Sequence, residues 1–347
     1  MNGSALLTRD RFRESVFARD KYKCVICQAP AQDAHHLIER RTFPDGGYYL
    51  DNGTSLCGDC HIKAEQTVLT VEEIRAAAGI TTKIVPPHVY QDDLFDKWLN
   101  PILPNGTRYM GELFDDPSVQ KVLASGGVLN QFVRYVKYPR TLHLPWSPGA
   151  DNKDERTMDD FSSFDGEEVV VTAKLDGENT TWYNDHIHAR SLDYSPHPSR
   201  NWIKKLHGEI AWQLPDNYRL CGENLYAKHS ILYQNLETYF YVFSLWNDKN
   251  HALSWDETVE WAALLGLKTT PILYQGPWDE RLIRNLNPTS FNGDPCEGYV
   301  VRVKRQFPFR DFRKCVAKWV RADHVQTHAF WRNQQVVPNG LKDTNAQ

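Results

Sequence analysis

Val169-Val170-Val171-Thr172-Ala173-Lys174-Leu175-Asp176-Gly177-Glu178-Asn179 is a β-branched run that ends in a lysine and then a glycine turn. Glu168 to Ala173 is apolar and branched enough for a buried strand, and Gly177 is free to take the left-handed backbone that a tight exit needs. Lys174 therefore stands at a strand end. An ammonium is a poor nucleophile; burial or neighbouring cations are expected to lower its pKa, so that the free amine can attack an electrophilic phosphorus or carbon. Lysines also end strands simply because they are solvated there, so Lys174-Leu175-Asp176-Gly177 gains weight only from what accompanies it.

Four later stretches do accompany it: Leu220-Cys221-Gly222-Glu223-Asn224-Leu225-Tyr226, Tyr241-Val242-Phe243-Ser244, Cys296-Glu297-Gly298-Tyr299-Val300-Val301-Arg302 and Val316-Ala317-Lys318-Trp319-Val320-Arg321. Between Arg302 and Arg321 the only acid is Asp311, and Phe307, Phe309, Phe312 and Trp319 interleave with the Lys and Arg residues. A basic, aromatic stretch can track a phosphate backbone and stack bases, and its place directly after the Glu297 to Arg302 strand favours that over a plain solvated face.

Taken in order, the five stretches resemble the RNA ligase branch of the covalent nucleotidyltransferases, the superfamily that also holds ATP-dependent DNA ligases and mRNA capping enzymes. The resemblance covers roughly Tyr138 to Arg332. It implies an α+β chain whose residues 137–347 form an antiparallel-β-rich nucleotidyltransferase (ATP-grasp-like ligase) domain. It further implies ATP-dependent sealing of RNA 5′-phosphate and 3′-hydroxyl ends through a lysyl-AMP intermediate, with Mg2+ or Mn2+. By position, Lys174 is the nucleophile, Arg190 contacts ribose and phosphate, Glu223 binds ribose and Phe243 stacks on adenine. Glu297 holds metal or ribose, and Arg302 and Lys318 neutralise phosphate. Such roles suit phosphoryl transfer, which needs positioning and charge neutralisation above all. The family's last motif commonly has two lysines one residue apart; here Arg321 or Lys314 is left to supply the second charge.

The N-terminal segment carries a different chemistry. Cys24-Val25-Ile26-Cys27 and Cys57-Gly58-Asp59-Cys60 are paired knuckles suited to tetrahedral zinc, with a ββα unit expected in the long gap between them. Asp33-Ala34-His35-His36, Asn52 and His61 complete a pattern that resembles the HNH nuclease module over Arg9 to about Gly79. The resemblance implies that His35 and His61 hold a catalytic divalent metal, that His36 is the general base and that Asn52 orients its loop. A neutral imidazole can take the proton of a water while the ion stabilises charge on phosphate. The alternative is a catalytically inactive zinc module that clamps nucleic acid.

Thr8 to Ala18 has the spacing of an amphipathic helix through Phe12 and Val16. Thr70-Val71-Glu72-Glu73 is a capping box with Gly79 as a stop, closing a domain at 1–83. The Pro- and Gly-rich residues 84–136 are expected to be an irregular connector with short helices over 94–99 and 117–124. Asn184-Asp185 marks a hairpin that returns Arg190 toward Lys174.

The chain has 347 residues and a formal charge of −4, with an isoelectric point near 6.4. It is long enough for two or three cores, and any nucleic-acid surface is local. With no membrane-length apolar run and charges from Arg9 onward, the expectation is a cytoplasmic protein without an obligate protein partner. The tail after Arg321 is too short for the OB-fold of DNA ligases and capping enzymes, which favours RNA ends; DNA and RNA/DNA hybrids stay open as substrates, and an ATP-dependent DNA ligase as the alternative enzyme.

Overall fold

The computed structural model describes residues 5–89, 91–103, 105–151, 157–158, 160–190, 192, 196–286, 288, 290–291, 293–322 and 335–342. The chain divides into two compact units, Met1–Lys137 and Tyr138–Gln347. It is a mixed α+β structure whose sheets are mainly antiparallel.

In the first unit, α1 (Arg9–Arg19) buries Phe12 and Val16, the two residues one turn apart in the sequence. It packs on a hairpin of β1 (Asp33–His36) and β2 (Gly53–Leu56). Gly53 is required there, since a Cβ would lie 2.5 Å from the Phe12 ring. The two strands and two single-turn 3-10 helices, Arg40–Thr42 and Leu50–Asn52, fill the gap between the cysteine pairs. The helix expected inside it, α2 (Gly58–Glu65), follows and carries Cys60 itself. Next comes α3 (Val71–Ala77), which starts on the Thr70/Glu73 capping box and is followed by Gly79 at φ +66°.

Residues 84–137 belong to the same unit. Four short strands, β3 (Leu94–Phe95), β4 (Pro101–Ile102), β5 (Arg108–Tyr109) and β6 (Phe132–Val133), form one sheet, with α4 (Pro117–Ser125) between the last two. The helix expected over 94–99 is absent. The Asp96 carboxylate accepts from the Trp98 and Asn100 amides and Leu99 takes φ +63°, so local turn chemistry overrides the helical pattern. Phe95 and Leu99 join the core beneath the hairpin, beside Leu37, Leu56 and Ile74.

The second unit holds two larger sheets. One has the order β15 (Ile272–Pro277), β8 (Glu168–Lys174), β18 (Gly298–Val303), β20 (Val316–Val320) and β7 (Leu142–His143). The other runs β10 (Ile187–Ala189), β9 (Glu178–Trp182), β11 (Arg219–Asn224), β12 (Phe240–Trp246), β13 (His251–Ala252) and β19 (Phe307–Pro308), with β14 (Lys268–Thr269) on β12. Smaller elements are α5 (Asn201–Ile210), α6 (Trp255–Leu264), α7 (Glu280–Asn285), the strand pair β16 and β17 (Ser290–Phe291, Asp294–Pro295) and α8 (Phe312–Cys315).

Val169, Val170 and Val171 of β8 are fully buried, each contributing roughly 1.5–3 kcal/mol of transfer free energy. Trp182 stacks on Phe240 at 4.6 Å and 6°, in a core that also contains Ile203 of α5 and Ala262 of α6.

The aromatic part of the basic stretch is core rather than a base-stacking face. Phe307 and Phe312 are buried, and Trp319 stacks on Tyr299 at 5.3 Å. Among its cations, Lys304 pairs with Asp256 at 3.0 Å and Arg305 with Glu167 at 2.7 Å. Among the described residues, no helix is long and apolar enough to cross a membrane.

Candidate active site at the end of β8 and candidate metal centres in the first unit

Lys174 is the last residue of β8 and pairs in register with Gly298 of β18. This brings its Nζ onto Oε2 of Glu297, one residue before that strand. The sequence expectation of a lowered lysine pKa does not hold in this state. Burial pulls it down, but the carboxylates of Glu297, Glu223 and Asp176 outweigh that, and the pKa is raised.

Gly177 does not use a left-handed backbone. It is required because a Cβ would meet the Asn224 carbonyl oxygen at 2.5 Å, so β8 exits against the end of β11. That approach lets the Gly177 amide donate to Glu223 Oε1 at 3.1 Å. Burial, with Glu297 and Asp176 adding repulsion against the pull of Lys174, pushes the Glu223 carboxyl up to about 8. Asp176, missed as a site residue, is tied down by its surroundings. Its Oδ2 accepts from the Ser230 and Ile231 amides at 2.7 and 2.8 Å, and its own amide donates to Tyr233 Oη at 2.9 Å. Its place two residues after Lys174 was the signal available.

Phe243 lies at a bulge in β12. Cys221 faces Ser244 and Gly222 faces Val242, so Phe243 has no partner in the ladder and its ring is re-aimed. The ring is half-buried and meets the Tyr138 edge at 5.2 Å.

The hairpin of β9 and β10 forms, with Trp182 opposite Ile187, and the Arg190 amide donates to the Asn179 carbonyl at 3.0 Å. Lys318 stands opposite Val300, itself opposite Thr172, which puts Lys318 on the Lys174 side of the sheet.

Arg302 is not brought to this cluster. Its buried guanidinium donates to the carbonyls of Leu253 at 2.7 Å and Val303 at 3.2 Å, and burial lowers its pKa to about 10. By register Arg302 stands opposite Val170, on the Lys174 face of the sheet but four residues along β8 from it, and its bonds to these two carbonyls hold the guanidinium away from the cluster. Of the two candidates for the second charge of the last motif, Lys314 is exposed on α8. The Arg321 amide bonds the Glu297 carbonyl at 3.2 Å, and its Nε is buried without a partner.

In the first unit, the four sulfurs of Cys24, Cys27, Cys57 and Cys60 lie within 4.8 Å of one another, the Cys27 and Cys57 sulfurs 3.5 Å apart. Four thiols so gathered, none in a disulfide, suit zinc. A second group joins His35, His61 and Glu65 within the same limit. Glu65 was missed, although it follows His61 by one helical turn on α2; its Oε1 is 3.1 Å from His61 Nε2 and 3.4 Å from His35 Nδ1.

His36 lies on the opposite side of β1, stacked on Phe12 at 4.5 Å and edge-on to Tyr48. Burial lowers its pKa to about 4, so it is neutral at pH 7, and its Nε2 is buried without a partner. Asn52 braces the following loop by donating to the Ile38 and Gly47 carbonyls and accepting from the Ile38 amide.

A family model described as RNA ligase matches residues 167–320, the segment from just before β8 to the end of β20. No curated protein matches the chain. Among solved structures, an apo form of Naegleria gruberi RNA ligase is 22% identical, with 48% of this chain and 53% of that chain covered and a TM-score of 0.37. The same ligase with PPi is 21% identical over 48% and 53%, TM-score 0.35, and a mutant with ATP and Mn is 22% identical over 46% and 52%, TM-score 0.35. The chain thus spans about half the length of the structures it matches.

Proposed function

We propose that the second unit is an ATP-dependent RNA ligase that works through a lysyl-AMP intermediate. The observation that carries this reading is the Lys174–Glu297 pair with Glu223 drawn to Gly177, set inside the segment matched by the RNA ligase family model.

In the first step Nζ of Lys174 attacks the α-phosphorus of ATP. A P–N bond forms, the P–O bond to pyrophosphate breaks, and the amine proton passes to a carboxylate or solvent. Next an oxygen of the RNA 5′-phosphate takes the AMP and the P–N bond breaks. The 3′-hydroxyl then displaces AMP and closes the phosphodiester.

Phe243 offers a ring to adenine, Glu223 and Arg190 serve the ribose, and Lys318 with Arg321 neutralises phosphate. Glu297 and Glu223 suit Mg2+ or Mn2+: burial, with the neighbouring carboxylates Glu297 and Asp176, raises Glu223, and a bound cation would offset both. When bound, the ion neutralises charge on the phosphates. Were Glu297 engaged as a ligand, Lys174 would lose the partner that keeps it protonated.

Incubation with α-labelled ATP and magnesium, followed by denaturation, tests the reading. Label on the wild type and none on Lys174→Ala supports it; equal label on both refutes it.

The grouping of His35, His61 and Glu65 supports a second activity, a metal-dependent endonuclease in the first unit with His36 as base and the four cysteines holding Zn2+. Cleavage lost in His36→Ala with zinc content unchanged supports it. Nucleic-acid binding by a wild type that never cuts would make the unit a clamp.

A further inference from the structure

Residues 94–109 deliver a cation into the His35, His61 and Glu65 group. Lys97 Nζ lies 3.0 Å from Glu65 Oε1, the same oxygen that both imidazoles approach. It also lies 3.5 Å from Glu39 Oε2 and donates to the His36 carbonyl at 3.3 Å.

The lysine side chain is only 5% exposed, and its surroundings are rigid. The Glu39 amide donates to the Lys97 carbonyl at 2.8 Å, and Trp98 Nε1 donates to the Glu65 carbonyl at 2.9 Å. Asp96 holds Asn100 and the Arg108 guanidinium. An ammonium fixed in this way cannot retreat to solvent, yet it has two carboxylates within reach.

A divalent ion held by His35, His61 and Glu65 would need the carboxylate oxygen that Lys97 now occupies, and two cations at one oxygen repel strongly in a partly buried site. We propose that Lys97 and a divalent cation compete for Glu65, with Glu39 as the carboxylate that takes the ammonium when the cation enters. The inference rests on the metal-site reading of the first unit. It makes Lys97 a positioning residue that keeps the site charge-balanced without metal and sets its affinity. This cation would then exchange readily, whereas one held by the four cysteines would not.

Mn2+ binding to the full chain, followed by electron paramagnetic resonance of the free ion, tests this. Glu65→Gln protein serves as the blank for ions bound elsewhere, and zinc content is the check on folding. Lys97→Met should bind Mn2+ roughly tenfold tighter than wild type, the scale of removing a unit charge a few ångströms away. Glu39→Gln, which leaves Lys97 no second carboxylate, should bind more weakly than wild type. Equal or weaker binding by Lys97→Met, or unchanged binding by Glu39→Gln, overturns the competition while leaving the metal site in place. No Glu65-dependent binding in any of the proteins removes the metal site and the inference with it.

Discussion

Lys174 and Glu297 are joined by an ion pair across neighbouring strands, because β8 and β18 place Lys174 directly opposite Gly298. The pair keeps the amine protonated, so removing the carboxylate lowers the lysine pKa and enlarges the free-amine fraction at neutral pH. Glu297→Gln should therefore shift the pH profile of Lys174 labelling by a small amine-reactive reagent to lower pH, by about one unit or more. Label from ATP should fall in the same variant. A profile unchanged or moved upward would disprove the coupling.

Glu223 makes a stability prediction of definite sign. Its folded pKa, about 8, lies above the ordinary carboxyl value, so the folded state holds a proton that the unfolded chain releases. Its stabilising contribution is complete below the ordinary value and is lost as pH rises through about 8. Glu223→Gln should thus gain melting temperature relative to wild type between pH 5 and 8, by about 2–4 °C for each kcal/mol recovered. Equal pH dependence of the two melting curves would contradict the burial argument.

The cysteine cluster should bind one zinc ion. Cys60→Ser is expected to lose it, with free thiols appearing in a chromogenic assay and the first unit melting at lower temperature. Lys174→Ala should retain the metal. Full zinc content in Cys60→Ser would refute the assignment.

Asn339 braces the active site from a distance. Its Oδ1 accepts from the Tyr233 amide at 2.9 Å and its Nδ2 donates to the Leu225 carbonyl at 2.8 Å, while Tyr233 holds Asp176. Asn339→Ala leaves both buried groups unpaired and should cost roughly 1–3 kcal/mol in urea unfolding. It should also slow transfer of AMP to Lys174 with little change in ATP binding, since the carboxylate that flanks the lysine loosens. A loss confined to ATP affinity would argue against this route.

The order of the motifs, the strand that ends in Lys174, the capping box at Thr70 and the cysteine spacing were all determined by the sequence alone. Each depends on local periodicity or on donors a few residues apart, and local physics repeats from chain to chain. Tertiary structure decided what depends on partners distant in sequence. It turned Arg302 inward to the Leu253 carbonyl, raised the Lys174 pKa through Glu297 and made Gly177 a matter of clearance from Asn224. It also drew residues 94–109 into the first unit, setting Lys97 against Glu65. Burial, register and long-range charge sum over the whole fold, so no window of sequence contains them.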